Sequence, residues 1–326
     1  METLEITSLR HQLHIRKDKL NSIIKQQPDN LNVVSLIRQV DAALERMNDG
    51  LYGICMDCHD NIEEDRLLAD PLVTVCLGCL SEAQQKALED DLEFAAKIQR
   101  NLLPKKNQEL DGWDFSYHYE PAGPVSGDFT DIIPLNDESV IFLLGDVSGK
   151  GIGASMMMSH LHGLIHSLLS FGLPVNEIVD KANKLFCRST LYSSYATMVL
   201  GKASPDGTIE ICVAGHNPPI LIRNNNIHTI SATGMPVGLF CEAEYSLSSF
   251  ILNSGDSLLL YTDGLTEARV NEIEYGEEKV SQVINTINCS SLTPQQILDG
   301  ILSDHSGWLG NVKPLDDITL LCLKRR

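Results

Sequence analysis

Apolar residues keep helical spacing twice before residue 50. Leu9, Leu13, Leu20 and Ile24 share one face of a segment spanning 2–26, and Val33, Leu36, Ile37, Val40 and Leu44 do the same over 31–48. Gln27-Pro28-Asp29-Asn30 separates them. Proline cannot continue a helix, and Asp29 and Asn30 are turn and cap residues. So short a connection predicts an antiparallel helical hairpin. Residues 81–103 read as one further helix, stopped by Pro104. Within it Leu88, Leu92, Ala95, Gln99 and Leu102 follow a 4-3-4-3 spacing, the seam of a coiled coil with one polar slot. An amphipathic helix lying on its own domain gives the same pattern.

Beyond Trp113 the pattern changes. The apolar run 140–144 has the length of a buried strand and leads into Gly-rich 145–153. From Ala154 a helix with one apolar face is predicted through Met157, Met158, Leu161, Leu164, Ile165 and Leu168. A second covers about 175–191, with Ile178, Val179, Ala182, Leu185 and Phe186. The remainder reads mostly as strands, at 195–202, 209–213, 257–261 and 318–323. Strands before, between and after two helices predict an α+β sandwich with helices packed on sheets.

Charge narrows the function classes. The 326 residues carry a net charge of −19, and neither 1–107 nor 108–326 has a basic excess. That argues against a protein that wraps nucleic acid or coats an anionic membrane. No long apolar run and no signal-peptide pattern are present, so a cytoplasmic protein is expected. Of nine cysteines, Cys187, Cys212, Cys241, Cys289 and Cys322 are scattered and read as buried free thiols. The other four form two pairs, Cys55-Met56-Asp57-Cys58 and Cys76-Leu77-Gly78-Cys79, with 17 residues between them. Each pair puts two thiolates on one metal, and together they supply a closed tetrahedral site for one structural zinc. The segment 51–80, with its Tyr52-Gly53 lead-in and Arg66-Leu67 centre, resembles the zinc-finger module of DksA/TraR proteins. That family binds RNA polymerase through a longer hairpin with an acidic tip, where this hairpin offers only Asp29.

Carboxylates gather at strand edges. Asp146 follows the 140–144 run, Asp128 stands in Val125-Ser126-Gly127-Asp128 with Asp131 close behind, Asp263 follows an apolar strand, and Asp316-Asp317 opens the last one. Any one of these is commonly a turn or cap residue. Several in the same context repel one another unless a cation joins them, and all-oxygen ligands favour Mg²⁺ or Mn²⁺. His160, His162 and His166 lie on or near the 154–168 helix, but lack the H-E-x-x-H pattern and read as structural or exposed. His216, in His216-Asn217-Pro218-Pro219, reads as a loop former.

The whole of 108–326 resembles the metal-dependent protein phosphatase (PPM) family in its SpoIIE/RsbU branch. The matching stretches are PAGPVSGDFTD, LLGDVSGKGIGASMM, AGHNPPIL, GMPVGL, LLLYTDGLTEA and DDITLLCLK, in the family's order. The resemblance implies a PPM-type β-sandwich flanked by helices and two Mn²⁺ or Mg²⁺ ions. Asp146 would bridge them, with the Val147 carbonyl and Asp128, Asp263 and Asp316 as further ligands. Asp317 is a further cofactor-binding candidate, at a position where many relatives carry Asn. Ser126 stands where close relatives often have glycine, and no arginine or lysine lies between Trp113 and Ser126, which leaves Lys150 as the candidate phosphate clamp. The activity implied is hydrolysis of phosphoserine or phosphothreonine on a regulatory protein by a metal-activated water. In this branch that protein is commonly an anti-anti-sigma factor of STAS fold. Three parts are therefore expected: a hairpin plus zinc finger over 1–85, a linker helix over 86–105 that pairs two chains in a homodimer, and a phosphatase domain over 106–326. The alternative is a transcription-associated binding module with a catalytically weak phosphatase domain.

Overall fold

The computed structural model describes residues 3–26, 31–190, 194–224, 226–271 and 273–326. The 27–30 turn and the end of the 175–191 helix expectation therefore lie outside the described residues. The chain divides into two units, Met1–Asp91 and Leu92–Arg326.

In the first unit, α1 (Thr3–Gln26) and α2 (Leu31–Asn48) lie antiparallel. Arg10 donates to Asn48 and Lys17 pairs with Asp41, so early residues of α1 meet late residues of α2. Leu9, Leu13 and Leu20 pack against Val33, Val40, Ala43 and Leu44 between them. A short helix, α3 (Glu64–Ala69), lies between the two cysteine pairs. The helix α4 (Glu82–Leu102) begins at Ser81, whose backbone N–H donates to Gln84 while its own oxygen accepts from the Gln84 N–H. That reciprocal cap fixes its start.

The second unit has four layers. The strands are β1 (Asn107–Leu110), β2 (Trp113–Glu120), β3 (Asp128–Pro134), β4 (Val140–Val147), β5 (Ala196–Ala203), β6 (Thr208–Ala214), β7 (Ile220–Arg223), β8 (Asn226–Thr229), β9 (Ser248–Ile251), β10 (Ser257–Tyr261), β11 (Arg269–Val270), β12 (Ile273–Glu274) and β13 (Ile318–Arg325). Two antiparallel sheets stack face to face, in the orders β1-β2-β13-β10-β7-β8 and β3-β4-β5-β6-β9, and β11 pairs with β12 apart from them. Their inner faces interdigitate through Trp113, Phe115, Phe142, Leu144, Leu260 and Leu321. Outside the second sheet lie α5 (Gly151–Leu169) and α6 (Val175–Ser189), packed through Leu161, Ile165, Val179 and Phe186. A four-residue turn of helix, α7 (Asp263–Thr266), follows β10, and α8 (Gly276–Thr286) and α9 (Pro294–Leu309) cover the first sheet.

Several sequence expectations are corrected here. The four expected strands are present as β5, β6, β10 and β13, but the same region also holds two helices, α8 and α9, that were not expected. The strand with Asp146 at its end closes one residue later, at Val147, and α5 starts at Gly151 where the periodic apolar segment begins at Ala154. The seam of α4 also changes meaning. Ala96 and Gln99 are buried and Leu102 packs against the β3–β4 side of the second unit, so this stripe faces the helix's own unit. The large apolar side chains that α4 leaves exposed are Phe94 and Ile98, outside the expected seam. Finally, Cys187 and Cys241 are joined in a disulfide, with their Cα atoms 5.7 Å apart, and are not free thiols. The last turns of α6 bring Cys187 to the loop after Gly238, a meeting between positions 54 residues apart that spacing does not reveal.

Candidate active site

Two antiparallel strand pairs, one from each sheet, finish at the same end of the sandwich. In one sheet β3 starts at Asp128 directly opposite Asp146 near the end of β4. In the other, β10 ends at Tyr261 beside the start of β13, and Asp263 and Asp316 lie just beyond those ends. The two sets meet through Thr262, whose hydroxyl donates to Asp128 Oδ2 at 2.9 Å. The Thr262 backbone N–H donates to the Thr319 carbonyl at 2.9 Å, which holds the β10 and β13 ends together.

Like charges directly opposite one another across an antiparallel pair are unfavourable. Asp128 is 2% exposed. Burial, and then Asp146, push its carboxyl well above the usual range. Burial, then Asp263 and Asp316, push Asp146 up to about 7. Asp263 is also raised, by burial, Glu267 and Asp316. Carboxylates destabilise one another in this way where the fold expects positive charge between them. The backbone makes room for it: a Cβ on Gly127 would stand 2.7 Å from the Val147 carbonyl and 3.2 Å from Asp146 Oδ1. At Gly264 a Cβ would collide with the Asp317 carbonyl. An all-oxygen donor set of clustered carboxylates and a backbone carbonyl, with glycines keeping the space open, fits hard divalent cations.

Asp317 differs from its sequence expectation. Its Oδ1 accepts from the Ala122 N–H at 2.7 Å, and its Oδ2 from the Ser126 hydroxyl at 2.7 Å and the Gly127 N–H at 3.0 Å. The side chain organises the loop that leads into Asp128. Ser126 is the hub of that loop, because its oxygen also accepts from the Asp128 N–H at 3.0 Å. Its backbone is held in turn by Gln99 of α4, whose amide donates to the Ser126 carbonyl at 2.8 Å and accepts from the Ser126 N–H at 3.1 Å. The polar slot in the α4 pattern marked Gln99, but nothing in the sequence named its partner.

Residues 136–326, more than half of the chain, match the family described as stage II sporulation protein E (SpoIIE). The chain belongs to the SpoIIE family. It is similar to phosphoserine phosphatase RsbU of Bacillus subtilis, at 26% identity over 247 residues covering 74% of this chain and 72% of RsbU. Protein IcfG of a Synechocystis strain is 28% identical over 265 residues, covering 72% of this chain, which spans only 41% of the length of that relative. Among solved structures, the SiaA-PP2C domain of Pseudomonas aeruginosa superposes with a TM-score of 0.66 at 18% identity, covering 76% of this chain and 100% of that domain. The fold of the second unit is the PP2C fold.

Among the other candidate residues of this SpoIIE-family chain, Lys150 has a protein partner and His216 supports its loop as expected. Lys150 is occupied: its Nζ lies 3.0 Å from Asp316 Oδ2 and donates to the Leu315 carbonyl at 2.7 Å. His216 is buried and shares a 2.8 Å hydrogen bond with Thr197. Burial holds its pKa down to about 4, so the ring is neutral and supports the loop. Asp131 faces away from Asp128, toward α5, where His162 and His166 meet it.

In the first unit the sulfurs of Cys55, Cys58, Cys76 and Cys79 all lie within 4.8 Å of one another. Backbone N–H groups, that of Cys58 first, lower the Cys55 thiol to about 6, and its sulfur accepts from the Cys76 N–H at 3.3 Å. The Cys79 thiol is pushed up by Cys58 and Cys76, the strain of crowded sulfurs that a bound cation relieves. Residues 50–85 match the prokaryotic dksA/traR C4-type zinc finger. Among the described residues no helix is long and apolar enough to cross a membrane.

Proposed function

We propose that this chain is a divalent-metal-dependent protein phosphatase that removes phosphate from phosphoserine or phosphothreonine on a regulatory protein. The observation that carries this reading is the convergence of Asp128, Asp146, Asp263 and Asp316 at one end of a PP2C sandwich. These residues and the Val147 carbonyl would hold two Mn²⁺ or Mg²⁺ ions. When bound, the ions supply Lewis-acid activation of water and charge stabilisation for the phosphoryl group.

The chain's own groups prepare the site. Thr262 fixes the Oδ2 oxygen of Asp128 by donating its hydroxyl to it. Ser126 and Asp317 set the approach of the β3 start, and Gln99 fixes Ser126. Lys150, paired with Asp316 and exposed, is placed to exchange that partner for a phosphoryl oxygen once a cation takes the carboxylate.

We favour a phosphorylated anti-anti-sigma factor of STAS fold as the substrate, a reading supported by the likeness to RsbU. The finger would carry one structural zinc on Cys55, Cys58, Cys76 and Cys79. A homodimer through the linker helix would use Phe94 and Ile98, the apolar side chains that α4 leaves exposed. The functional division we take is 1–85 for the zinc-bearing part, 86–105 for the linker and 106–326 for catalysis.

The test is Mn²⁺-dependent release of phosphate, first from p-nitrophenyl phosphate and then from phosphorylated STAS proteins. Asp146→Asn and Asp263→Asn should each reduce turnover at least about a hundredfold, the scale on which a principal electrostatic group contributes to catalysis. Near-normal Mn²⁺-dependent turnover in either variant would overturn the assignment of the site. Turnover on p-nitrophenyl phosphate with none on any STAS phosphoprotein would keep the phosphatase and remove the substrate.

A further inference from the structure

On the opposite face of β3 from Asp128 lies a second group of chemistry-bearing side chains. Asp131 and Asp128 are separated by an odd number of positions and so point to opposite faces of the sheet. Asp131 is buried against α5. From that helix His162 and His166, four residues apart and hence on one face, both reach the same carboxylate oxygen. The Nε2 atoms lie 2.9 Å and 2.6 Å from Asp131 Oδ2, and the two rings are 4.3 Å apart. The other oxygen, Oδ1, accepts from the Ile132 N–H at 2.7 Å, which sets the carboxylate and leaves Oδ2 as its single inward atom.

We propose that Asp131, His162 and His166 form a binding site for a divalent transition metal of the zinc class, separate from the carboxylate cluster and from the four cysteines. The three candidate ligand atoms lie within 4.8 Å of one another. Two imidazole nitrogens and one carboxylate oxygen are a common protein ligand set for zinc, with the fourth position left to water. Zinc at about 2.0–2.2 Å from each ligand spaces the ligand atoms roughly 3.3 Å apart, so they must separate by about half an ångström. His166 gives that room, because its side chain is 42% exposed, and the same exposure opens a path for the ion. The carboxylate is ready for a cation. Its Oδ1 is already taken by the Ile132 N–H, so Oδ2 is the atom that meets both imidazoles. A helix-borne His pair is ordinarily held in place by hydrogen bonds from behind. Here the backbone bond to Asp131 does that for the carboxylate. An ion at this point would fasten α5, which follows the Asp146 loop, to β3, which begins at Asp128.

Two imidazoles donating to one carboxylate satisfy the same atoms without a metal, so the experiment must separate these states. Full-length protein is equilibrated with Zn²⁺ in excess Mg²⁺, and bound zinc per chain is measured by equilibrium dialysis. Wild type should hold one more zinc than His166→Ala, or should bind that equivalent at least tenfold more tightly. The extra equivalent should persist in Cys55→Ser, which disables the finger, and in Asp146→Asn, which disables the carboxylate cluster. On wild-type protein alone, the imidazole ¹⁵N resonances of His162 and His166 should both shift on zinc addition. Equal zinc content in wild type and His166→Ala, or an extra equivalent that Asp146→Asn abolishes, would overturn the proposal. So would histidine resonances that ignore zinc.

Discussion

Burial, and then the charges of Asp263 and Asp316, oppose ionisation of Asp146, and this opposition has a measurable sign. The folded protein keeps the Asp146 proton up to about pH 7, whereas an unfolded chain releases it near 4. The folded state therefore binds the extra proton between those values, and cation-free protein should lose stability as pH rises through that window. Removing the charge removes the loss. In chelator, Asp146→Asn should melt above wild type at pH 8, and the gap should close toward pH 4. Melting curves recorded at both ends of that range check this, and a wild type that melts higher at pH 8 would mean the carboxylates do not repel as described. Added Mn²⁺ should raise the wild-type melting temperature and leave that of the Asn variant nearly unmoved.

At the scale of elements, α4 does more than connect. Gln99 supplies both a donor and an acceptor to Ser126, so truncation leaves two buried backbone groups unsatisfied, at a cost of about 1–3 kcal/mol each. Gln99→Ala should lower kcat with a smaller effect on KM, since Ser126 carries Asp317 and the Asp128 N–H. Gln99→Glu keeps the acceptor and loses the donor, and it should fall between the two. Steady-state kinetics beside thermal melts would tell positioning from simple destabilisation: equal kcat in all three would deny α4 any part in the site. The strand-end positions of Asp128, Asp146, Asp263 and Asp316 were legible in the sequence because each stands near an apolar strand and beside a glycine or a second acid. What the sequence hid was pairing at a distance: Gln99 to Ser126, Asp131 to His162 and His166, Cys187 to Cys241. The helix α9 was hidden for a different reason. Thr293-Pro294-Gln295-Gln296 carries a capping box and a proline at the first helical position, a readable start signal outweighed by the expectation of strands.

The molecule as a whole is two units whose boundary falls within α4, after Asp91. A catalytic fragment cut at residue 108 lacks Gln99, whereas one cut at 92 retains it. The 92–326 fragment should therefore match the Mn²⁺-dependent turnover of the full chain more closely than 108–326 does, and the shorter fragment should melt lower; equal behaviour would make α4 dispensable. The sulfur atoms divide along the same line. Cys55, Cys58, Cys76 and Cys79 hold a metal only as thiolates, which peroxide consumes. The Cys187–Cys241 bond exists only in the oxidised state and yields to a reductant. Oxidative and reductive stress thus strike different units of one chain. Mild dithiol treatment should expose two additional titratable thiols with the finger's metal retained. Peroxide should release that metal while α6 stays tied to the loop at Cys241. Metal release by the reductant, or a free Cys187 before it is added, would show that the two sulfur sites do not divide the redox response in this way.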